Sequence, residues 1–249
     1  TKQWPLSWLY KREATELLKF DQSVAHFVDA ATFVAEPEVE LFNRLSPETS
    51  SRISAVSNGI DCDYFDPDLN QDDPYTVPGP KLIFTGAMDY WPNIDSVQWF
   101  ANDILPLVQN RIPDASFHIV GGNPSPDVTK LTQISGVFVT GRVPDMRPYF
   151  KHAALAVVPM RIARGIQNKV LEAMAMAKPT VVTPQALEGI DLPEDPTLYV
   201  ADDAQSFADS CIDALTEDQA ALRGARARQW AQDHYSWQAR LGAYDALFS

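Results

Sequence analysis

Only two cysteines, Cys62 and Cys211, occur in the 249 residues, far apart and with no CxxC or paired Cys/His spacing around them. That scarcity argues against a disulfide framework and a structural zinc site, and reads as reduced thiols in a cytosolic protein. No apolar run is long enough to span a bilayer, and no signal-peptide pattern is present. Basic clusters are missing too: 20 Lys and Arg stand against 33 Asp and Glu, a net charge of −13. A nucleic-acid surface is therefore not expected. The sequence has no Gly-x-Gly-x-x-Gly, Gly-x-Ser-x-Gly, His-Glu-x-x-His or P-loop, so dinucleotide redox, hydrolase, zinc-protease and kinase-like chemistry lack a motif. The histidines His26, His118, His152 and His234 are scattered, and His118, inside an apolar run, reads as a core residue. Asp61-Cys62-Asp63 has the Asp-x-Asp form that can hold a metal, but among 33 acidic residues such a triplet arises by chance. No metal and no cofactor are expected.

What the sequence does have is an ordinary globular composition, 45% hydrophobic and 21% charged, with a clear strand–helix alternation from Lys81 onward. Short apolar runs at 82–85, 116–120, 137–140, 155–158, 180–183 and 198–200 read as buried strands. Helical patterns lie between and after them, at 95–111, 127–133, 146–153, 204–215, 218–234 and 237–248. This predicts an α/β fold with a parallel sheet covered by helices on both faces, and ligands at the carboxyl ends of its strands. Residues 1–70 hold two helical patterns, 8–27 and from Glu36, and two short strands near 31–35 and 52–56. That is too little to bury an independent core, so earlier strands are expected to be absent. The polar, Pro-rich stretch 71–80 reads as a linker. The expected organisation is thus 1–70 as the remnant of a first domain, 81–235 as a second, and 236–249 as a final helix carrying Trp237, Leu241, Tyr244 and Leu247 on one face.

The stretch from Met160 to Pro179 organises the chain. It follows a buried strand, turns at Gly165, where a residue without Cβ moves freely, and opens a helix at Gln167 or Asn168. The first turn of a helix has amides without intrahelical partners, and these favour an anion. Arg161, Arg164 and Lys169 add positive charge nearby, and Glu172 shares a helix face with Asn168 and Lys169. One reading is a nucleotide-diphosphate site whose carboxylate holds sugar hydroxyls. The other is a plain strand–loop–helix unit in which Lys169 and Glu172 form an exposed ion pair of little energetic weight. Two further strand ends carry candidates with similarly open readings. Gly86 and Ala87 would let a phosphate or sugar approach the backbone, or simply form a turn before a helix capped by Asn93 or Asp95. Arg142 and Val143 could meet a base or phosphate, or belong to a tight turn in which Asp145 caps the next helix.

The motif Gly165-x-x-x-Lys169-Val-Leu-Glu172-Ala-Met-Ala-Met-x-Lys178-Pro179 resembles the donor-site signature of retaining GT-B glycosyltransferases of family 4. The likeness is closest to sugar transferases of bacterial exopolysaccharide and exosortase systems. The resemblance implies two Rossmann-like domains, of which 81–235 is the nucleotide-sugar donor domain and 1–70 the tail of the first. It also implies that the last helix crosses back to the first domain. Gly86 and Ala87 match the family's glycine loop, although Asp89 and Asn93 stand where many members carry diphosphate-binding basic residues. By resemblance, phosphate meets the backbone of Gly165, Ile166, Gln167 and Asn168 and the Lys169 ammonium, Glu172 holds ribose hydroxyls, and Arg142-Val143 meet the base. The family often has two glutamates eight positions apart; Glu172 is the second, and Arg164 replaces the first. That departure leaves the contact to the transferred sugar open. No catalytic residue is assigned, and Arg164, on the leaving-group side, is the remaining candidate. The implied partners are a nucleotide sugar and a glycan or lipid-linked acceptor. The implied location is the cytoplasm or the inner face of the membrane, with membrane contact through an absent N-terminal portion. A chain of this extent is expected to bind nucleotide weakly and to transfer nothing alone. A GT-B-like epimerase and a non-catalytic binding module are the alternatives.

Overall fold

The computed structural model describes residues 6–163, 165–194 and 197–245. They divide into two compact units, one comprising the chain up to Ser57 together with the residues from Gly242, the other Asn58–Leu241. In the first unit, helices α1 (Leu6–Phe27) and α2 (Glu36–Leu45) accompany two parallel strands, β1 (Ala31–Phe33) and β2 (Ile53–Ala55). Pro37 sits in the first turn of α2, where its missing N–H costs no hydrogen bond. The core of this unit is small, built on Ala25, Val39, Phe42 and Ile53. α1 leaves Leu17, Phe20 and Phe27 exposed.

The second unit is built on six parallel strands: β3 (Lys81–Thr85), β4 (Ser116–Val120), β5 (Val137–Gly141), β6 (Leu155–Val158), β7 (Thr180–Val182) and β8 (Tyr199–Val200). Their spatial order is β5-β4-β3-β6-β7-β8. The inner strands β4, β6 and β7 are buried at every residue, whereas the edge strands β5 and β8 are not. That is why the inner strands read as unbroken apolar runs. The chain lays down β3, β4 and β5 outward in one direction, then returns to the other side of β3 to begin β6. Leu82 pairs with Leu155 and Ile83 with Ala156 at this reversal. A parallel sheet offers its ligand crevice at such a switch point, beyond the carboxyl ends of the two strands.

Helices flank the sheet. α3 (Trp91–Trp99) runs through a π-type turn at Phe100–Ile104 into α4 (Leu105–Gln109). Pro106 has no N–H for the ladder, and the widened turn just before it absorbs the mismatch. This helix starts four residues earlier than the sequence suggests, with Pro92 in its first turn. Neither Asn93 nor Asp95 caps it; the cap position is Tyr90, without a side-chain bond. The remaining helices are α5 (Pro126–Lys130), α6 (Arg147–His152), α7 (Asn168–Ala175), α8 (Ala204–Thr216), α9 (Ala220–Tyr235) and α10 (Trp237–Asp245). The cap position of α6 is Met146 and not Asp145, which stands one residue ahead and accepts a hydrogen bond from the Arg147 amide at 2.9 Å. In α10, Trp237 and Leu241 of the expected stripe are exposed, and Leu247 lies outside the described residues.

Residues 58–80 belong to the second unit. The division therefore falls ahead of the stretch the sequence marked as a linker. Apolar burial is the reason: Ile60, Cys62 and Phe65 join the main core, and Ile60 pairs with Ser236. Arg228 of α9 donates to the carbonyl oxygens of Phe65 and Ala175, tying this segment to the end of α7. Further along, the Tyr75 hydroxyl donates to the Tyr149 carbonyl at 2.7 Å, and its ring meets His118 edge-on. His118 is a core residue, stacked on Phe138 with its Nε2 3.0 Å from Ser116 Oγ, and burial pulls its pKa down to about 4.

Candidate functional site

A cleft of about 290 Å³ opens at the switch point, lined by Thr85, Gly86, Ala87, Asn93, Met146, Ile166, Gln167, Asn168, Lys169 and Glu172. The lining comes from the end of β3 with its loop, Asn93 of α3, Met146 ahead of α6, and the stretch 166–172 that opens α7. A larger groove, about 450 Å³, runs between α4 and α8 past Asn110, Arg111, Asp209 and Asp213, but it lies on helices away from the strand ends.

The glycine loop is shaped by close approach. A Cβ on Gly121 would lie 1.8 Å from the Gly86 carbonyl oxygen, so the loops after β3 and β4 can stack only with glycine there. Their backbones bond directly, Gly86 N to Val120 O at 3.2 Å and Met88 N to Gly122 O at 2.8 Å. A Cβ on Gly86 would come within 2.6 Å of Asn93 Nδ2. Room at Gly86 thus serves a protein side chain as well as any ligand. Asn93, read from the sequence as a cap or as the residue in place of a diphosphate-binding basic residue, donates from Nδ2 to the Ala87 carbonyl at 2.9 Å and holds the loop.

On the opposite wall, Gly165 is buried with φ +64, a left-handed conformation that favours glycine, and nothing within 4 Å would obstruct a Cβ. Conformation is therefore the need for glycine here. Gln167 occupies the cap position of α7 with no side-chain cap bond, and its carbonyl accepts from Val170 N at 2.9 Å, so the amides at the tip of the helix, unlike those further in, have no intrahelical carbonyl to donate to. Gln167 Nε2 donates to Gly165 O at 3.1 Å, and its Oε1 accepts from Lys169 Nζ at 3.3 Å. The ammonium also lies 3.5 Å from Met160 Sδ and over the Phe84 ring at 5.5 Å. These soft neighbours solvate a cation poorly, and burial lowers the Lys169 pKa to about 8 against the opposing pull of Glu172.

Glu172 stands one turn further in, partly buried, and Thr85 Oγ1 donates to its Oε2 at 3.5 Å. Burial raises its pKa, while Lys169 and the Thr85 hydroxyl pull the other way. The exposed-ion-pair reading of Lys169 and Glu172 does not hold, because both line the cleft and burial shifts both. Thr85, 3% exposed, has a part here that the sequence did not signal.

The structure brings together Gly86, Ala87, Ile166, Gln167, Asn168, Lys169 and Glu172, with Gly165 at the turn behind them. It does not bring Arg142 and Val143 into this cleft. They follow β5, two strands from β3, with exposed Arg142 beside Gly122. Arg161 does not supply free charge to the cleft either: it forms a two-pronged pair with Asp95, at 3.0 and 2.5 Å, over the Trp99 ring. Arg164 lies outside the described residues. Asp61 of the Asp-x-Asp triplet accepts from the amides of Asp63 and Tyr64 as an ordinary turn. Among the described residues no helix is long and apolar enough to cross a membrane.

Similarity to known proteins agrees with this geometry. The chain matches solved structures at low identity. A glycosyltransferase from Rickettsia africae ESF-5 gives a TM-score of 0.70 at 18% identity, covering 94% of this chain and 67% of that one. Staphylococcus aureus TarM, in complex with Fondaparinux, alpha-GlcNAc-glycerol and UDP, gives 0.72 at 19%, covering 93% and 46%. HepE from Anabaena, in complex with UDP and glucose, gives 0.68 at 13%, covering 93% and 66%. The chain therefore spans between about half and two thirds of these structures, and at such identities the likeness shows a shared GT-B fold. No curated protein sequence matches the chain. The sequence model described as glycosyl transferases group 1 matches residues 79–217, more than half of the chain and all of the cleft, and the protein belongs to that family.

Proposed function

We propose that this chain provides the donor side of a retaining, family 4 sugar transferase, in which the cleft at the switch point holds the diphosphate and sugar end of a nucleotide sugar. The observation that carries this reading is the meeting of uncapped α7 amides, the Lys169 ammonium and the Glu172 carboxylate in one crevice at the ends of β3 and β6. Breaking the anomeric C–O bond leaves negative charge on the diphosphate. Preorganised amides and a poorly solvated cation stabilise that charge as it develops. At pH 7 a lysine with a pKa of about 8 is still mostly protonated, and a bound diphosphate raises that pKa again. In the same reading Glu172 accepts hydroxyls of the ribose, and the base extends past Gly122 toward Arg142. The acceptor is a glycan or lipid-linked sugar, in a bacterial exopolysaccharide setting, and no metal is needed. The chain alone binds nucleotide weakly and transfers nothing. Calorimetric titration with uridine, guanosine and adenosine diphosphate sugars tests this: one base series binds, and the sugar-free diphosphate retains much of the affinity. Failure of every series to bind would refute it.

A further inference from the structure

The diphosphate reading leaves the side chain of Asn93 unused. This residue is 4% exposed and lines the cleft, yet its Oδ1 is buried with no hydrogen-bond partner among the described residues. Its orientation is fixed: Nδ2 donates to the Ala87 carbonyl, and turning the amide over would set two acceptors against each other. Gly86 makes room for this arrangement, because a Cβ there would strike Nδ2. A buried acceptor without a donor is costly and stays open to whatever ligand supplies one. The cleft therefore offers an unpaired acceptor, Asn93 Oδ1, beside the Glu172 carboxylate and the Lys169 ammonium that also line it.

We propose that Asn93 Oδ1 is a specificity determinant of this site, accepting a hydrogen bond from one hydroxyl of the donor sugar and so selecting a sugar that carries a hydroxyl at that position over one that does not. This rests on the cleft being a nucleotide-sugar site. An acceptor-only group at that position, such as fluorine, leaves Oδ1 desolvated and unpaired. A site built to meet a hydroxyl rejects its absence far more sharply than an apolar pocket rejects a methylene.

The test titrates the unmodified chain with UDP-glucose, GDP-mannose and ADP-glucose, then with the monodeoxyfluoro analogues of whichever binds. Fluorine keeps the size of the hydroxyl and removes its donor. The expected result is a loss of about tenfold to a hundredfold at one ring position and little at the others. In Asn93→Ala the parent sugar nucleotide should weaken and the difference between parent and that analogue should vanish. Because the analogue series uses the unmodified chain, a folding defect in Asn93→Ala does not spoil the test. Equal affinity for the parent and all analogues, with the nucleoside diphosphate still bound, overturns the role of Asn93 alone. Absence of any nucleotide binding overturns the donor-site reading and this proposal together.

Discussion

Replacing Lys169 with Met removes its ammonium from the cleft while keeping the length and apolar stem of the side chain. In the folded protein the Lys169 pKa falls from 10.5 to about 8, equivalent to about 3 kcal/mol of disfavoured charge. Partial solvent access leaves about 1 to 3 kcal/mol of that as a real destabilisation at neutral pH. Lys169→Met should therefore make the unliganded protein more stable at pH 7. It should also weaken nucleoside diphosphate binding by about tenfold to a hundredfold, the scale of one charged hydrogen bond. The pH dependence follows by linkage. Below pH 8 both states carry the proton and the cost is fully present; between 8 and 10.5 the folded state sheds it first, so stability rises with pH. Lys178 has a similarly lowered pKa, held among the carbonyls of Lys151 and Ala153, and adds a rise of its own. The variant should thus keep only part of the rise. Urea denaturation from pH 7 to 10 and calorimetry at pH 7 read both effects. A variant that is less stable at pH 7, or that binds diphosphate as tightly as the parent, refutes the reasoning.

Three further outcomes follow from the same geometry. In Glu172→Gln a carboxyl with a raised pKa is lost. Ionising Glu172 subtracts from stability as pH rises from the unfolded value of 4.5, so between pH 4 and 7, where the neutral, buried His118 adds stability to both proteins, the parent should gain less than the variant in denaturation. Nucleoside binding should weaken in that variant at the same time. Arg161→Gln breaks an exposed pair with Asp95 and should cost about 0 to 1 kcal/mol while leaving nucleotide affinity unchanged, as calorimetry would show. Gly224→Ala puts a Cβ 2.2 Å from the Ala177 carbonyl where α9 packs on α7, and should destabilise by about 1 to 3 kcal/mol in thermal unfolding.

The strands were legible because the inner ones are buried on both faces and so read as continuous apolar runs; all six of the main sheet appear within a residue or two of the expected positions. The α7 stretch was legible for a different reason, since a glycine turn, a helix opening and a Lys–Glu spacing are local features. What escaped the sequence depends on partners far along the chain. Thr85 meets Glu172 across 87 positions, and Arg161 is taken up by Asp95 across 66. Nothing in the spacing around Arg161 marks it as paired, so it read as free charge. Asn93 read as a cap because asparagine ahead of a helix usually is one. Pro92 was the available signal that the helix had already begun, since proline prefers the first helical turn. The first unit was read as incomplete from its two short strands; its described core is built on Ala25, Val39, Phe42 and Ile53, while Leu17, Phe20 and Phe27 of α1 are exposed.

The account depends on where a diphosphate settles, and amide chemical shifts report that directly. A ¹⁵N-labelled sample of the chain, titrated with the nucleoside diphosphate of the series that binds, should show its largest shifts at Gly165, Gln167, Asn168 and Lys169, with smaller ones at Gly86 and Ala87. Shifts centred instead on the groove around Arg111 and Asp209, or no saturable shift at the tip of α7, would contradict it.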